Sequence, residues 1–294
     1  MMRLLLKLTS KLPLGILYRL APLIYLVTFY LARYRRTIVF DHLSRAFPDK
    51  TSQQITKMAK AYYRNLADVV VEIIKAADMS AQELQTRVKY KNIEVLEPFI
   101  TSGQSFMLLS AHCCNWEWLL LSLSYNLPIP MAGVYKPLHN AGVNRFIFET
   151  RSRFGLDLID LKEFASEVLK NKSNQCAYSL LADQKPRGTG KYHNTQFLNR
   201  ETRFFIGPEK IAQFVKVPII YVRMIRVSKG QYEVDYSLLA SPPYKRVRGE
   251  YPVTEQYARA VEAQILNQPE SWLWSNRRWR SRSRSANLKG KSEA

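Results

Sequence analysis

From about residue 105 onward, short apolar runs alternate with amphipathic stretches, and this alternation is the tightest constraint on the fold. SFMLLSA (105–111) has the composition of a buried strand, and it stops at His112. NWEWLLLSLSYN (115–126) then reads as a helix, IPMAGVY (129–135) as a strand and NAGVNRFIFETRSRF (140–154) as a helix. LDLID (156–160), EFASEVLKN (163–171) and QCAYSLLA (175–182) continue as strand, helix and strand. GPEKIAQFV (207–215) reads as a helix opened by Gly-Pro. Two strands follow, 217–227 and 231–239, joined around Lys229-Gly230, and a last helix covers 253–267. Such an order predicts an α/β fold, a mostly central mixed sheet flanked by helices. Upstream, residues 51–76 carry helical spacing with Thr51 or Ser52 placed to cap it.

Residues 13–32 are nearly all apolar and about long enough to cross a bilayer. Arg33, Arg35 and Arg36 follow them, as suits a headgroup region, and Arg3, Lys7 and Lys11 precede them. Arg19 and Pro22 lie inside the stretch, so a helix lying in the interface competes with a spanning one. No small-x-small cleavage site is present, which argues against a removed signal peptide.

Lys and Arg number 44 against 24 acids, a net charge of +20, and a field of that sign attracts polyanions. Anionic lipid fits better than nucleic acid, because the positive residues are scattered and the N-terminus is apolar. The three cysteines, Cys113, Cys114 and Cys176, are too few for a disulfide framework and fit a reducing compartment. Their spacing matches no common metal site, so neither a metal nor another cofactor is expected. Cys113 and Cys114 are read as pocket-wall residues rather than nucleophiles.

SAHCCNWEW (110–118) carries the chemistry. His112 stands at a strand end and Glu117 in the first turns of the next helix, where α/β folds gather ligands. An imidazole can take the proton of a substrate hydroxyl if a carboxylate on its other nitrogen fixes the tautomer. Glu117 is the expected carboxylate. Arg151 and Arg153 offer guanidinium forks for a phosphate or an acyl donor. Asp183 and Gln184 follow the strand 175–182 and would support the acceptor site. Trp272, Trp274 and Trp279 among arginines suggest a belt at headgroup level. His139 and His193 are expected at the surface.

Several blocks, in order, resemble the lipid A late acyltransferases, relatives of the glycerolipid acyltransferases. DHLSRAFP (41–48) is similar to the family's N-L-x-x-A-F-P, with Asp41 for Asn. AHCCNWEW matches its H-x4-[DE], with His112 and Glu117 in the catalytic places. VYKPLHN (134–140), ETRSRFG (149–155), LADQKP (181–186) and PEKIAQFVKVPIIYVRMIR (208–226) resemble the blocks that follow. PESWLWSNRRWR (269–280) resembles the closing signature, with Asn276 for His. The resemblance implies an enzyme of the inner membrane's cytoplasmic face. It would move an acyl chain from acyl carrier protein or coenzyme A to a hydroxyl of a lipid A precursor. The apolar segment and the small, polar, basic end of the chain divide it into an anchor over 1–36, a catalytic domain over 37–280 and a basic disordered tail over 281–294. The departures at Asp41, Lys136 and Asn276 leave an aminolipid or lysophospholipid acceptor open, and a non-catalytic lipid- or nucleic-acid-binding protein is the contrasting reading.

Overall fold

The structure is a computed structural model that describes residues 1–186, 191–245 and 247–279. The tail expected over 281–294 lies outside them. Helices α1 (Met2–Ser10), α2 (Leu14–Leu26, continued by a π turn Val27–Leu31), α3 (Arg36–Ala46) and α4 (Ser52–Lys75) come first. They are followed by α5 (Ala81–Arg87), β1 (Val88–Tyr90), α6 (Glu97–Thr101) and β2 (Phe106–Ser110). Next are α7 (Trp116–Asn126), β3 (Met131–Tyr135), α8 (Ala141–Arg151), β4 (Asp157–Asp160), α9 (Phe164–Lys170) and β5 (Ala177–Leu181). A hairpin of β6 (Tyr192–Phe197) and β7 (Arg200–Phe205) precedes α10 (Gly207–Val215), β8 (Ile219–Ser228), β9 (Gln231–Ala240) and α11 (Pro252–Asn267).

The architecture is the expected α/β one. A seven-stranded sheet runs in the order β1-β9-β8-β2-β5-β3-β4, with β6 and β7 as a separate pair. Strands β2, β3, β4, β5 and β8 are parallel to one another, while β9 returns antiparallel to β8. At the centre β2 is buried at every position, FMLLS, because neighbours cover both of its faces and both of its edges. That is why it reads as a continuous apolar run without alternation.

Local chemistry sets the element ends. Thr51 and Gln54 form a reciprocal capping box at the start of α4. Gly230 closes the β8–β9 turn at φ +68°, and a side chain there would also collide with the Tyr18 hydroxyl. Helices α1, α3, α5 and α6 and the β6–β7 hairpin add to the elements that the sequence pattern predicts.

The first 36 residues lie against the rest of the molecule. On α1, Arg3 and Lys7 both pair with Glu149 of α8, at 2.7 and 2.9 Å. Helix α2 runs antiparallel to α4, meeting it through Tyr18 with Glu72, Tyr25 with Arg64 and Phe29 with Tyr63. Its inner face buries Leu14, Leu17, Ala21 and Tyr25, while Ile16, Leu20, Leu23 and Leu26 face outward.

Leu108 is fully buried at the middle of β2. Leu108→Ala should lower stability by about 3 kcal/mol, from lost burial and the cavity left behind. Thermal or denaturant unfolding checks this, and a loss below about 1 kcal/mol would contradict the packing of the central strand.

Candidate active site

The pairing of β2 with β5 assembles the site. Their register matches Phe106 with Ala177 and ends with Ser110 opposite Leu181. Two residues beyond each strand, the same offset brings His112 and Asp183 together. His112 Nδ1 lies 2.6 Å from Asp183 Oδ1, and the His112 backbone N–H donates to Asp183 Oδ2 at 3.1 Å. The Trp272 indole donates to the same Oδ2 at 2.8 Å. Asp183 is buried, with 2% of its side chain exposed, whereas His112 keeps 16%. Burial alone would raise the Asp183 pKa. The charge and hydrogen bonds of His112, together with the Trp272 bond, bring it below the ordinary carboxylate value.

This geometry corrects one expectation. The carboxylate on the imidazole is Asp183, not Glu117. Both oxygens of Glu117 are engaged by Arg151, Nε to Oε2 at 2.7 Å and Nη2 to Oε1 at 2.6 Å, and Trp116 donates to Oε1 at 3.1 Å. Glu117 still feels the charge of His112. Burial would raise its pKa, and Arg151, Trp116 and His112 together hold it low. Sequence spacing put Glu117 near His112. A helix's first turn, however, aims its side chains by its own rotation, and α8 supplies Arg151 on that side.

Asp183 fixes the proton on Nδ1 and leaves the Nε2 lone pair free. Gln184 Nε2 sits 3.0 Å from it, placed to donate. The expected site residues His112, Asp183 and Gln184 are thus brought together, with Glu117 and Arg151 paired beside them. Arg153 is not part of the cluster. Its guanidinium closes the C-terminal end of α4 at the Ala76 carbonyl. His139 is exposed, and His193 bonds Glu255 at 3.0 Å.

The chain turns from β2 into α7 through Cys114, whose φ of +54° is strained for a residue with a side chain. Segment 269–274 holds that turn. Leu273 N–H donates to the His112 carbonyl at 3.0 Å, and Cys114 N–H to the Ser271 carbonyl at 2.9 Å. Asn115 caps α7 by accepting from the Trp118 N–H at 3.0 Å. The tryptophans expected as an interfacial belt contradict that reading: Trp272 is 2% exposed and Trp274 fully buried. The indole at 272 was missed as a site residue, because its role depends on a partner 89 residues away.

Burial raises the Cys113 thiol pKa far above its usual value and pushes that of Cys114 up to about 12, so neither supplies a thiolate nucleophile. Among the described residues no group of His, Cys, Asp and Glu side chains is placed to hold a metal ion. A cavity of about 30 Å³, room for about one water, is lined by Trp116, Glu117, Leu119, Leu120, Val134, Arg151 and Leu181, with Ser110 and Ser179.

The site is thus an imidazole held between a buried carboxylate and a side-chain amide, just past the ends of two parallel strands at the middle of the α/β sheet. The chain belongs to the bacterial lipid A biosynthesis acyltransferases, whose family profile matches residues 2–281, and it is an acyltransferase. Similar proteins are the lipid A biosynthesis palmitoleoyltransferase of Escherichia coli (strain K12) and the lipid A biosynthesis acyltransferase of Shigella flexneri. Each is 22% identical over 253 residues, covering 84% of this chain and 79% of the relative.

Because Glu117 and Asp183 are held below their ordinary values of 4.5 and 3.8, the stability they contribute is complete above those values. It is lost as the pH falls through the lowered ones. The melting temperature should hold down to about pH 5 and drop steeply below it. Glu117→Gln should flatten that acid limb, as scanning calorimetry across pH would show.

Proposed function

We propose that the protein transfers a fatty acyl chain from an acyl thioester, of acyl carrier protein or coenzyme A, to a hydroxyl of a lipid A precursor. The observation that carries this is the 2.6 Å contact of His112 Nδ1 with Asp183, which orients the ring so that Nε2 is the nitrogen an acceptor hydroxyl would meet. As the acceptor hydroxyl approaches Nε2, Gln184 yields its place. The hydroxyl proton passes to Nε2 while the oxygen attacks the thioester carbonyl carbon. A C–O bond forms, the tetrahedral oxyanion collapses and the C–S bond breaks. The thiolate leaves and recovers the proton from the imidazolium. Asp183 stabilises that imidazolium directly, and Glu117 does so at longer range. The apolar side chains Leu119, Leu120, Val134 and Leu181, which line the small cavity beside Glu117, would face the acyl chain.

The support for a membrane acceptor is the outer face of α1 and α2. Leu4, Leu5 and Leu8 continue into Ile16, Leu20 and Leu23, all exposed. Leu14–Leu31 is long and apolar enough to cross a membrane. Spanning would draw Arg64 of the adjoining α4, which stacks on Tyr25, into hydrocarbon at a cost of about 3 kcal/mol. We therefore favour a helix lying in the interface, at the cytoplasmic face of the inner membrane. Beside it a groove lined by Lys57, Lys60 and Arg64 offers cations to lipid phosphates.

Purified protein with a radiolabelled acyl thioester and a lipid A precursor should yield acylated product, identified by lipid mass spectrometry. His112→Ala should abolish turnover. Asp183→Asn should cut kcat by about 10³ or more through loss of the tautomer, and Glu117→Gln by less. A His112→Ala variant with wild-type turnover would remove the mechanism. Separately, the double variant Lys57→Glu, Lys60→Glu should bind anionic vesicles several-fold more weakly, and the difference should vanish in high salt. Unchanged binding in a co-sedimentation assay would exclude this face as the contact.

A further inference from the structure

Glu72, near the end of α4, is fully buried, and the reaction makes no use of it. Three donors from three other elements converge on its carboxylate. The Tyr18 hydroxyl of α2 donates to Oε1 at 2.7 Å. The Asn115 amide and the Tyr232 hydroxyl of β9 donate to Oε2, at 2.8 and 2.5 Å. The Glu72 main-chain carbonyl accepts from the Trp118 indole at 2.9 Å. A buried carboxylate is tolerated only when its lone pairs are met, so all three donors are needed at once.

The partners give this cluster a direction. Asn115 spends its amide nitrogen on Glu72 and its amide oxygen on the N-terminus of α7. It thereby fixes the helix turn that bears Glu117 and follows the strained Cys114. At the other end, Tyr18 belongs to the helix whose outward face is apolar. Lys229 lies 5.0 Å over the Tyr18 ring, so the β8–β9 turn also closes on it.

We propose that Glu72 is a positioning residue that couples the seating of the apolar-faced helix α2 to the geometry of the His112–Glu117 loop. When α2 lies along α4, Tyr18 completes the carboxylate's partners, and Asn115 holds α7 in the orientation acyl transfer requires. When α2 lifts away, Glu72 loses a donor and the cap loosens. The same helix that meets the lipid surface therefore sets how fast the site turns over. This rests on the acyl-transfer reading above.

The test uses the full-length protein on vesicles, with thioester and lipid acceptor. Tyr18→Phe keeps the ring and deletes the hydroxyl. It should lower kcat by about tenfold, the scale of a small misplacement of reacting groups, with the thioester KM and vesicle binding unchanged. Glu72→Gln should lose more. Tyr25→Phe removes a hydroxyl from the same helix that is not among the donors to Glu72, and should behave as wild type. Wild-type kcat in Tyr18→Phe would overturn the coupling, as would an equal loss in Tyr25→Phe or a change confined to KM. Should Glu72→Gln fail to accumulate, Tyr18→Phe carries the test alone. If the wild type itself transfers no acyl chain, the acyl-transfer reading fails instead.

Discussion

Everything at the site follows from the parallel pairing of two buried strands. Strand β5 lies beside β2 with Ser110 opposite Leu181, and that register carries on past the strand ends to set Asp183 against His112. Tyr257 of α11 locks it there: its hydroxyl donates to the Ser110 carbonyl at 2.8 Å and accepts from the Ala182 N–H at 3.3 Å. A slip of one residue would turn every β5 side chain to the other face and leave the imidazole without its carboxylate.

Around that contact the molecule is organised to hold one strained turn. The backbone at Cys114 sits in a conformation that costs on the order of 1 kcal/mol or more for a residue with a Cβ. It persists because segment 269–274 pairs with it from one side and Glu72, through Asn115, from the other. That segment is anchored in turn: His42 Nδ1 meets the Trp274 carbonyl at 3.0 Å, Arg35 donates to the Ser275 carbonyl at 2.9 Å, and Tyr62 accepts from the Ser275 N–H at 3.2 Å. Motifs far apart in the chain are thus one packing unit. The N-terminal DHLSRAFP helix holds the C-terminal signature, and the signature holds the catalytic loop.

The two acid–base pairs divide the electrostatic work. Asp183 is satisfied by an imidazole, a backbone N–H and an indole, which keeps it ionised in a buried place. Glu117 and Arg151 neutralise each other in a bidentate pair. A buried pair of this kind adds little net stability, yet removing either partner strands a charge. Arg151 is thereby committed to the protein rather than left open for a ligand phosphate, whereas Lys57, Lys60 and Arg64 line a groove on α4 beside the apolar helices.

Much of this was legible in the chain itself. Runs such as SFMLLSA and GPEKIAQFV announce their elements because burial and capping are local in sequence, and the order of strands and helices gives the layered α/β class. His112 stood out as an imidazole at a strand end, and Asp183 and Gln184 as polar residues just past another. Which carboxylate would meet the imidazole could not be read, because that depends on which strands are neighbours, and β2 and β5 are 71 residues apart in register. For the same reason Trp272 looked like an interfacial aromatic, and nothing in the helical spacing of 51–76 singled out Glu72. Local periodicity decides which face of an element is apolar. Only the packing of distant elements decides which polar groups are buried together, and so which of them must satisfy one another.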